Sequence, residues 1–266
     1  ELYYFNARYY DSNLGKFTSV DPVKDNHVYS YVANNPMKYV DPNGMDKRSV
    51  ILYNQGSVNI PNFVNKIKNS PYNSVIISGG RDIGKTLKSP HFIKLVEALR
   101  QEKIGVDIMI LEDPIFINPR YHKKAVSLLG EVIDSEIEFD SIVFDIEPHA
   151  DGNIKGNWKN FVSVIDKLAE SSRGNKLFAF TPWWISSSKI NDLAKTGING
   201  VIPMVYGGGQ DWNTKGEFIE RLGKYINADL SFLIGIAPNL DDIRNPGKLG
   251  DQLSNSQILI NSNYEG

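Results

Sequence analysis

From residue 49 onward the chain alternates short apolar runs with longer amphipathic stretches. The runs fall at 50–53, 74–78, 106–111, 141–147, 177–181, 201–206, 232–237 and 257–261, and they are rich in Val and Ile. Such runs suit strands buried on both faces of a parallel sheet. Between them, 91–99 and 158–168 repeat apolar residues at helical spacing, and Ser89-Pro90 reads as an N-cap followed by proline in the first turn. Eight strand candidates with helices between them predict a (β/α)8 TIM-like barrel over about 49–266. A doubly wound open α/β sheet is the alternative.

Residues 1–46 have another texture. Tyrosine, asparagine and turn pairs crowd this stretch, as in Tyr9-Tyr10-Asp11, Asp21-Pro22, Asn34-Asn35-Pro36 and Asp41-Pro42-Asn43-Gly44, which predicts short strands joined by tight turns. The chain opens at Glu1 without a methionine, and we expect it to be a fragment of a longer polypeptide.

Composition narrows the function classes. With 266 residues, 41% of them hydrophobic, the chain can bury one large core, or one core plus an appendage. The 29 basic and 31 acidic residues leave a formal charge of -2, so no global field points to nucleic acid or to an anionic membrane. No run approaches the roughly 20 apolar residues of a membrane helix, and no basic-then-apolar signal peptide opens the chain. The absence of cysteine excludes disulfides, thiolate metal sites and a cysteine nucleophile. A soluble globular protein is expected.

The first 46 residues carry a resemblance. Phe5-Asn-Ala-Arg-Tyr-Tyr-Asp11, Leu14-Gly-Lys-Phe17, Asp21-Pro22, Tyr29-Ser-Tyr-Val-Ala-Asn-Asn-Pro36 and Tyr39-Val-Asp-Pro-Asn-Gly44 follow one another in the order seen at the end of an RHS (YD-repeat) core. The resemblance implies a β-shell around a C-terminal toxin domain, a large bacterial protein secreted or delivered into a target cell, and an immunity protein as a possible partner. It also implies self-cleavage by Arg8, Asp21 and Asp41 at the Met45-Asp46 bond, where the family usually has leucine in place of Met45. Read without the family, the same three residues pin turns.

The chemistry of the larger part gathers at Asp145 and Glu147. They close the run Asp140-Ser-Ile-Val-Phe-Asp-Ile-Glu147, and on a strand both leave the backbone on one face. Val143, Asp145 and Glu147 would face a barrel interior, with Ile142, Phe144 and Ile146 toward the helices. In a barrel the reactive groups sit at the C-terminal strand ends. Those ends are Asn54 and Gln55, residues 78–81, Glu112 and Asp113, Asp145 with Glu147 and His149, residues 181–184, Met204 with Tyr206, Pro238 and Asn239, and residues 261–265. Carboxylates, amides and aromatics dominate, as in a carbohydrate site. Trp183 and Trp184, just after Pro182, are candidate sugar platforms unless they pack beneath the next helix. Asp140, Glu112, Met204 and Asn239 complete the candidate substrate-binding set. His149 is a second proton carrier or a solvated loop residue.

Asp140, Asp145 and Glu147 resemble the DxxDxDxE strand of family 18 glycoside hydrolases, and Met204-Val205-Tyr206 resembles that family's Met-x-Tyr. Ile77-Ser78-Gly79-Gly80 echoes its Ser-x-Gly-Gly. The resemblance implies a glycan substrate containing N-acetylhexosamine, Glu147 as general acid, and Asp145 and Tyr206 holding the acetamido group, with no metal or cofactor. Three departures accompany it: Val143 replaces the motif's middle aspartate, the Ser-Gly-Gly segment comes one strand early, and the last strand lacks a floor tryptophan.

Three further readings stay open. Residues 79–86, Gly-Gly-Arg-Asp-Ile-Gly-Lys-Thr, fit the phosphate-loop pattern after an apolar strand, although Pro90 follows closely. Glu112, Asp113, Asp145 and Glu147 have the oxygen ligands of a magnesium phosphodiesterase. A glycan-binding barrel without catalysis is the third.

Overall fold

In the computed structural model the residues described are 2–5, 8–11, 14, 16–19, 49–70, 72–150, 152–204, 224–225 and 231–232. The chain divides into two compact units, one built on 1–48 with 208–223 and 238–266, the other on 49–207 with 224–237. In the first unit, β1 (Leu2–Phe5), β2 (Arg8–Asp11) and β3 (Lys16–Phe17) form an antiparallel meander, with Tyr3 opposite Tyr10 and Tyr10 opposite Phe17. Short strands expected of this Tyr-rich sequence are present over 2–17, and the turn pairs at 21–22, 34–36 and 41–44 lie outside the described residues.

The second unit alternates strand and helix. Its elements are β4 (Ser49–Leu52), α1 (Ile60–Lys68), β5 (Ser74–Ser78), α2 (Ile83–Leu87), α3 (Pro90–Gln101), β6 (Gly105–Ile110), α4 (His122–Ile133), β7 (Ile142–Phe144), α5 (Ile154–Glu170), β8 (Leu177–Pro182), α6 (Ser187–Ala194), β9 (Gly200–Met204) and β10 (Ser231–Phe232). All seven strands run parallel, in the order β4-β5-β6-β7-β8-β9-β10. The order follows the sequence without reversal, so these strands lack the switch point of a doubly wound sheet. This is a parallel α/β fold of TIM-barrel type. The eighth strand expected at 257–261 lies outside the described residues.

Local chemistry explains the element boundaries. Ser89 caps α3 by accepting from the Phe92 N–H at 3.5 Å, and Pro90 opens the helix at no cost in hydrogen bonds. Asn59 and Asn153 cap α1 and α5 in the same way, each accepting at 3.1 Å. On α5, Trp158, Phe161, Val164, Ile165 and Leu168 form the buried stripe, at the spacing that lets one helical face cover a sheet.

The other face of the sheet curls around a shared interior. Ile76, Met109, Val143, Phe180, Ile202 and Met204 meet in one buried cluster, with Ile51 and Phe178 packed against it, so six consecutive strands, β4 to β9, contribute. Cross-strand register stacks these residues, Met109 beside Val143 and Phe180 beside Ile202. Toward the N-terminal end of this interior, the buried Asp107 accepts from Ser74 Oγ at 3.2 Å and Ser141 Oγ at 2.5 Å. Among the described residues no helix is long and apolar enough to cross a membrane.

Val143 is 1% exposed inside this cluster. Val143→Asp should therefore place a carboxylate without a partner in the apolar interior and lower stability by roughly 3–5 kcal/mol, measured by urea unfolding at pH 7. A loss below about 1 kcal/mol would mean that the interior is wet.

Candidate active site

Asp145 prolongs the ladder of β7, its N–H donating to the Ile110 carbonyl at 3.1 Å. The alternation that turns Val143 inward therefore carries Asp145 to the same face, one step beyond the apolar cluster. There its carboxyl is pushed up to about 7, first by loss of water and then by the negative charges of Glu147 and Glu112. Near neutral pH it holds or releases a proton readily.

Glu112 reaches the same place by a break in strand geometry. With Met109 inside, regular alternation would send Ile108, Ile110 and Glu112 toward the helices. Leu111 interrupts it: this buried residue adopts φ 60, a left-handed conformation that costs a non-glycine residue about 1–2 kcal/mol. Beyond it, Glu112 turns back to β5, where the Ser78 hydroxyl donates to its carboxylate with Oγ 2.6 Å from Oε1 and 2.8 Å from Oε2. The Gly80 N–H is shared between Ser78 Oγ at 3.1 Å and Oε1 at 3.2 Å. Gly80 sits at φ 68, and a Cβ on Gly79 would lie 3.0 Å from the Met109 carbonyl, so both glycines serve this tight crossing.

Tyr53, just after β4, is 54% exposed. Partial burial raises its phenol pKa, as do the charges of Asp145, Glu112 and Glu147. A single hydroxyl within the field of all three carboxylates marks them as one site. They nevertheless do not converge on a point: among the described residues no group of three or more His, Asp or Glu side chains could hold a metal ion. The magnesium phosphodiesterase reading lacks its ligand cage, and Asp113 is spent on a backbone cap, accepting from the Ile115 N–H at 2.9 Å.

The phosphate-loop reading is also corrected. Asp82 caps α2 by accepting from the Lys85 N–H at 3.1 Å and pairs with the Lys85 ammonium at 2.9 Å. Thr86 Oγ1 donates to the Gly79 carbonyl at 2.8 Å, while Gly80 serves Glu112. The Gly80 and Lys85 amides, the Lys85 ammonium and the Thr86 hydroxyl are thus occupied by the chain's own carboxylates and carbonyls.

The remaining candidates separate. Trp184 stands 47% exposed, and its ring meets His149 edge to face at 6.1 Å between centroids. Trp183 is half-buried, and His149 Nδ1 is buried with no hydrogen-bond partner among the described residues. Met204 is buried in the interior cluster and packs there. Asp140 lies at the opposite end of β7, where Oδ1 accepts from Arg100 Nη1 at 2.7 Å and Oδ2 from the Val106 N–H at 3.0 Å. Tyr206, Asn239, Asp21, Asp41, Met45 and Asp46 lie outside the described residues, and Arg8 is described only as part of β2. Tyr53 is the residue that strand reading overlooked, since an aromatic closing an apolar run reads as one more strand position.

No family model matches the chain, and no curated protein matches it. Solved structures do. A "putative deoxyribose-phosphate aldolase" from Coccidioides immitis is 9% identical, covers 79% of this chain and 76% of its own, and gives a TM-score of 0.49. QR15, an aldolase, is 10% identical over 82% of this chain and 93% of its own, with a TM-score of 0.49. A "putative fructose-1,6-biphosphate aldolase" from Coccidioides immitis is 14% identical over 82% and 87%, with a TM-score of 0.40. At such identities and TM-scores the likeness says nothing of this chain's activity.

These findings correct both family resemblances. No family model supports residues 1–46 as an RHS core or the rest of the chain as a family 18 hydrolase. The toxin and glycosidase assignments are withdrawn, and with them the glycan substrate, the shell and the immunity protein. The physical reason on the barrel side is plain. Of the hydrolase-like set, Asp140 is ion-paired at the far strand end, while Val143 and Met204 are core residues.

A raised carboxylate pKa has a stability consequence. Between its ordinary value of 3.8 and about 7 the folded protein binds the extra proton, so stability falls as pH rises through that window. Asp145→Asn should therefore match wild type near pH 4 and exceed it at pH 8, by on the order of a few kcal/mol. Thermal unfolding of both proteins across pH measures this, and equal pH dependence would contradict the shifted carboxyl.

Proposed function

We propose that the chain is an enzyme that moves a proton by general acid–base catalysis at the C-terminal mouth of its barrel, with Asp145 as the proton carrier. The observation that carries the reading is a carboxyl poised at about 7 by burial and two neighbouring charges, in the region where barrels of this type do chemistry. A general acid or base is most effective when its pKa lies near the working pH. Glu147, two residues on, adds a negative charge that helps keep the proton on Asp145.

The substrate is a small molecule that is uncharged or cationic and offers a hydroxyl or carbonyl oxygen to Asp145. Three acids surround the position, and the Gly80 and Lys85 amides that could greet a phosphate already serve Glu112 and Asp82. An anionic group would meet like charge and few free donors. Tyr53, exposed and within the field of the acids, supplies a hydroxyl to an uncharged oxygen.

Turnover of a library holding uncharged, cationic and phosphorylated metabolites, followed by mass spectrometry, tests this. Uncharged or cationic members should be consumed, and Asp145→Asn should lose roughly 10²–10⁴-fold of the rate. If Asp145 acts as the proton donor, the rate falls as pH rises through about 7, where the carboxyl ionises. Consumption of phosphorylated members alone, or full activity in the Asn variant, would contradict the proposal.

A further inference from the structure

We propose that the ligand of this mouth is an organic ammonium ion with an apolar body, its charge taken by the carboxyl groups that follow β6 and β7 and its body by Tyr53 and Trp184 at the two ends of the same arc. The inference rests on the reading above only in taking the mouth as the site, and it narrows uncharged or cationic substrates to cationic ones.

Strand order and register build the arrangement. Ile51 packs against the apolar cluster, so Tyr53, two residues on, leaves the end of β4 on the inner face. Leu52 lies beside Ile77, which puts Tyr53 level with Ser78, and the Ser78 hydroxyl holds Glu112. Asp145 comes next, fixed to β6 by its N–H on the Ile110 carbonyl. One strand further, Trp184 follows β8, and its ring meets that of His149, two residues past Glu147, edge to face at 6.1 Å. From β4 to β8 the mouth therefore runs aromatic, hydroxyl, carboxyl, carboxyl, aromatic.

Exposure points the same way. Among the described residues of this unit, the large hydrophobic side chains left exposed are Tyr53, Ile115 and Trp184, and all three lie in segments that leave the C-terminal ends of β4, β6 and β8. Exposed apolar groups gathered at one end of a fold mark a place where something binds. Charge adds the rest. The described ion pairs engage Glu102, Asp82, Asp140 and Asp134, so among the described residues Glu112, Asp145 and Glu147 have no cationic partner. Arg81, just past the Ser78–Gly80 turn, is exposed and makes none of these pairs. An ammonium ion set between carboxyl groups and aromatic faces is attracted by both, and the rings cover its apolar body as well. An anion would meet like charge, and a neutral apolar ligand would leave the acids without a counter-charge.

Calorimetric titration of the whole chain at neutral pH with benzyltrimethylammonium, phenethylamine, 2-phenylethanol and phenylacetate tests this. Both cations should bind, with 2-phenylethanol roughly tenfold weaker and phenylacetate not bound. Trp184→Ala and Tyr53→Ala should each weaken benzyltrimethylammonium by roughly 2- to 30-fold, the range of a cation on an aromatic face. Trp184→Phe and Tyr53→Phe, which keep a ring in place, should retain most of the binding. Equal affinity for all probes, binding of neither cation, or cation binding unmoved in both alanine variants overturns the inference. Cation binding that persists in Asp145→Asn while no library member is turned over supports it and removes the acid–base reading. Turnover of uncharged members alone, with neither cation bound, does the reverse.

Discussion

The apolar plug of Ile76, Met109, Val143, Phe180, Ile202 and Met204 is the constraint on which the rest depends. It closes the inside of the curled sheet and forms a dry floor at the C-terminal end. A carboxylate one strand step beyond that floor loses solvent on one side and cannot ionise at its usual pH. Asp145 is that carboxylate, and its burial is the largest cause of its shift. A wetter interior would return Asp145 to an ordinary surface aspartate.

Around this floor the chain spends its irregular geometry on acids. Leu111 in a left-handed conformation, the close crossing at Gly79 and the left-handed Gly80 all lie within a few residues of the Ser78–Glu112 contact. At the far end of the interior the polar groups are ordinary by comparison. Asp107 is satisfied by two serines, and Asp140 by Arg100 and a backbone amide. The molecule therefore has a structural polar end and a reactive polar end, separated by the plug.

Much of the fold was legible because strand burial and helix caps are local. The runs at 74–78 and 177–181 coincide with β5 and most of β8, and Ser89-Pro90 opens α3. Asp145 was legible for the same reason, since alternation from a buried strand fixes its face. Asp140 was misplaced because a motif was read without its length. Five residues of strand at about 3.3 Å each span about 16 Å, which puts Asp140 and Asp145 at opposite ends of any strand. Met204 looked like a motif residue and is a core residue, because Met fills irregular gaps. The orientation of Glu112 could not be read at all: one left-handed residue, Leu111, reverses the face, and nothing in a leucine announces it. The family motif over 140–147 proved a weaker guide than the geometry of single residues.

The central claim is that near neutrality a proton resides on Asp145. Neutron diffraction from deuterium-exchanged crystals grown at about pH 6, a unit below the Asp145 midpoint of about 7, locates that proton directly. The account predicts a deuteron on an Asp145 carboxyl oxygen and the Ser78 deuteron pointing at Glu112. A bare Asp145 would contradict it.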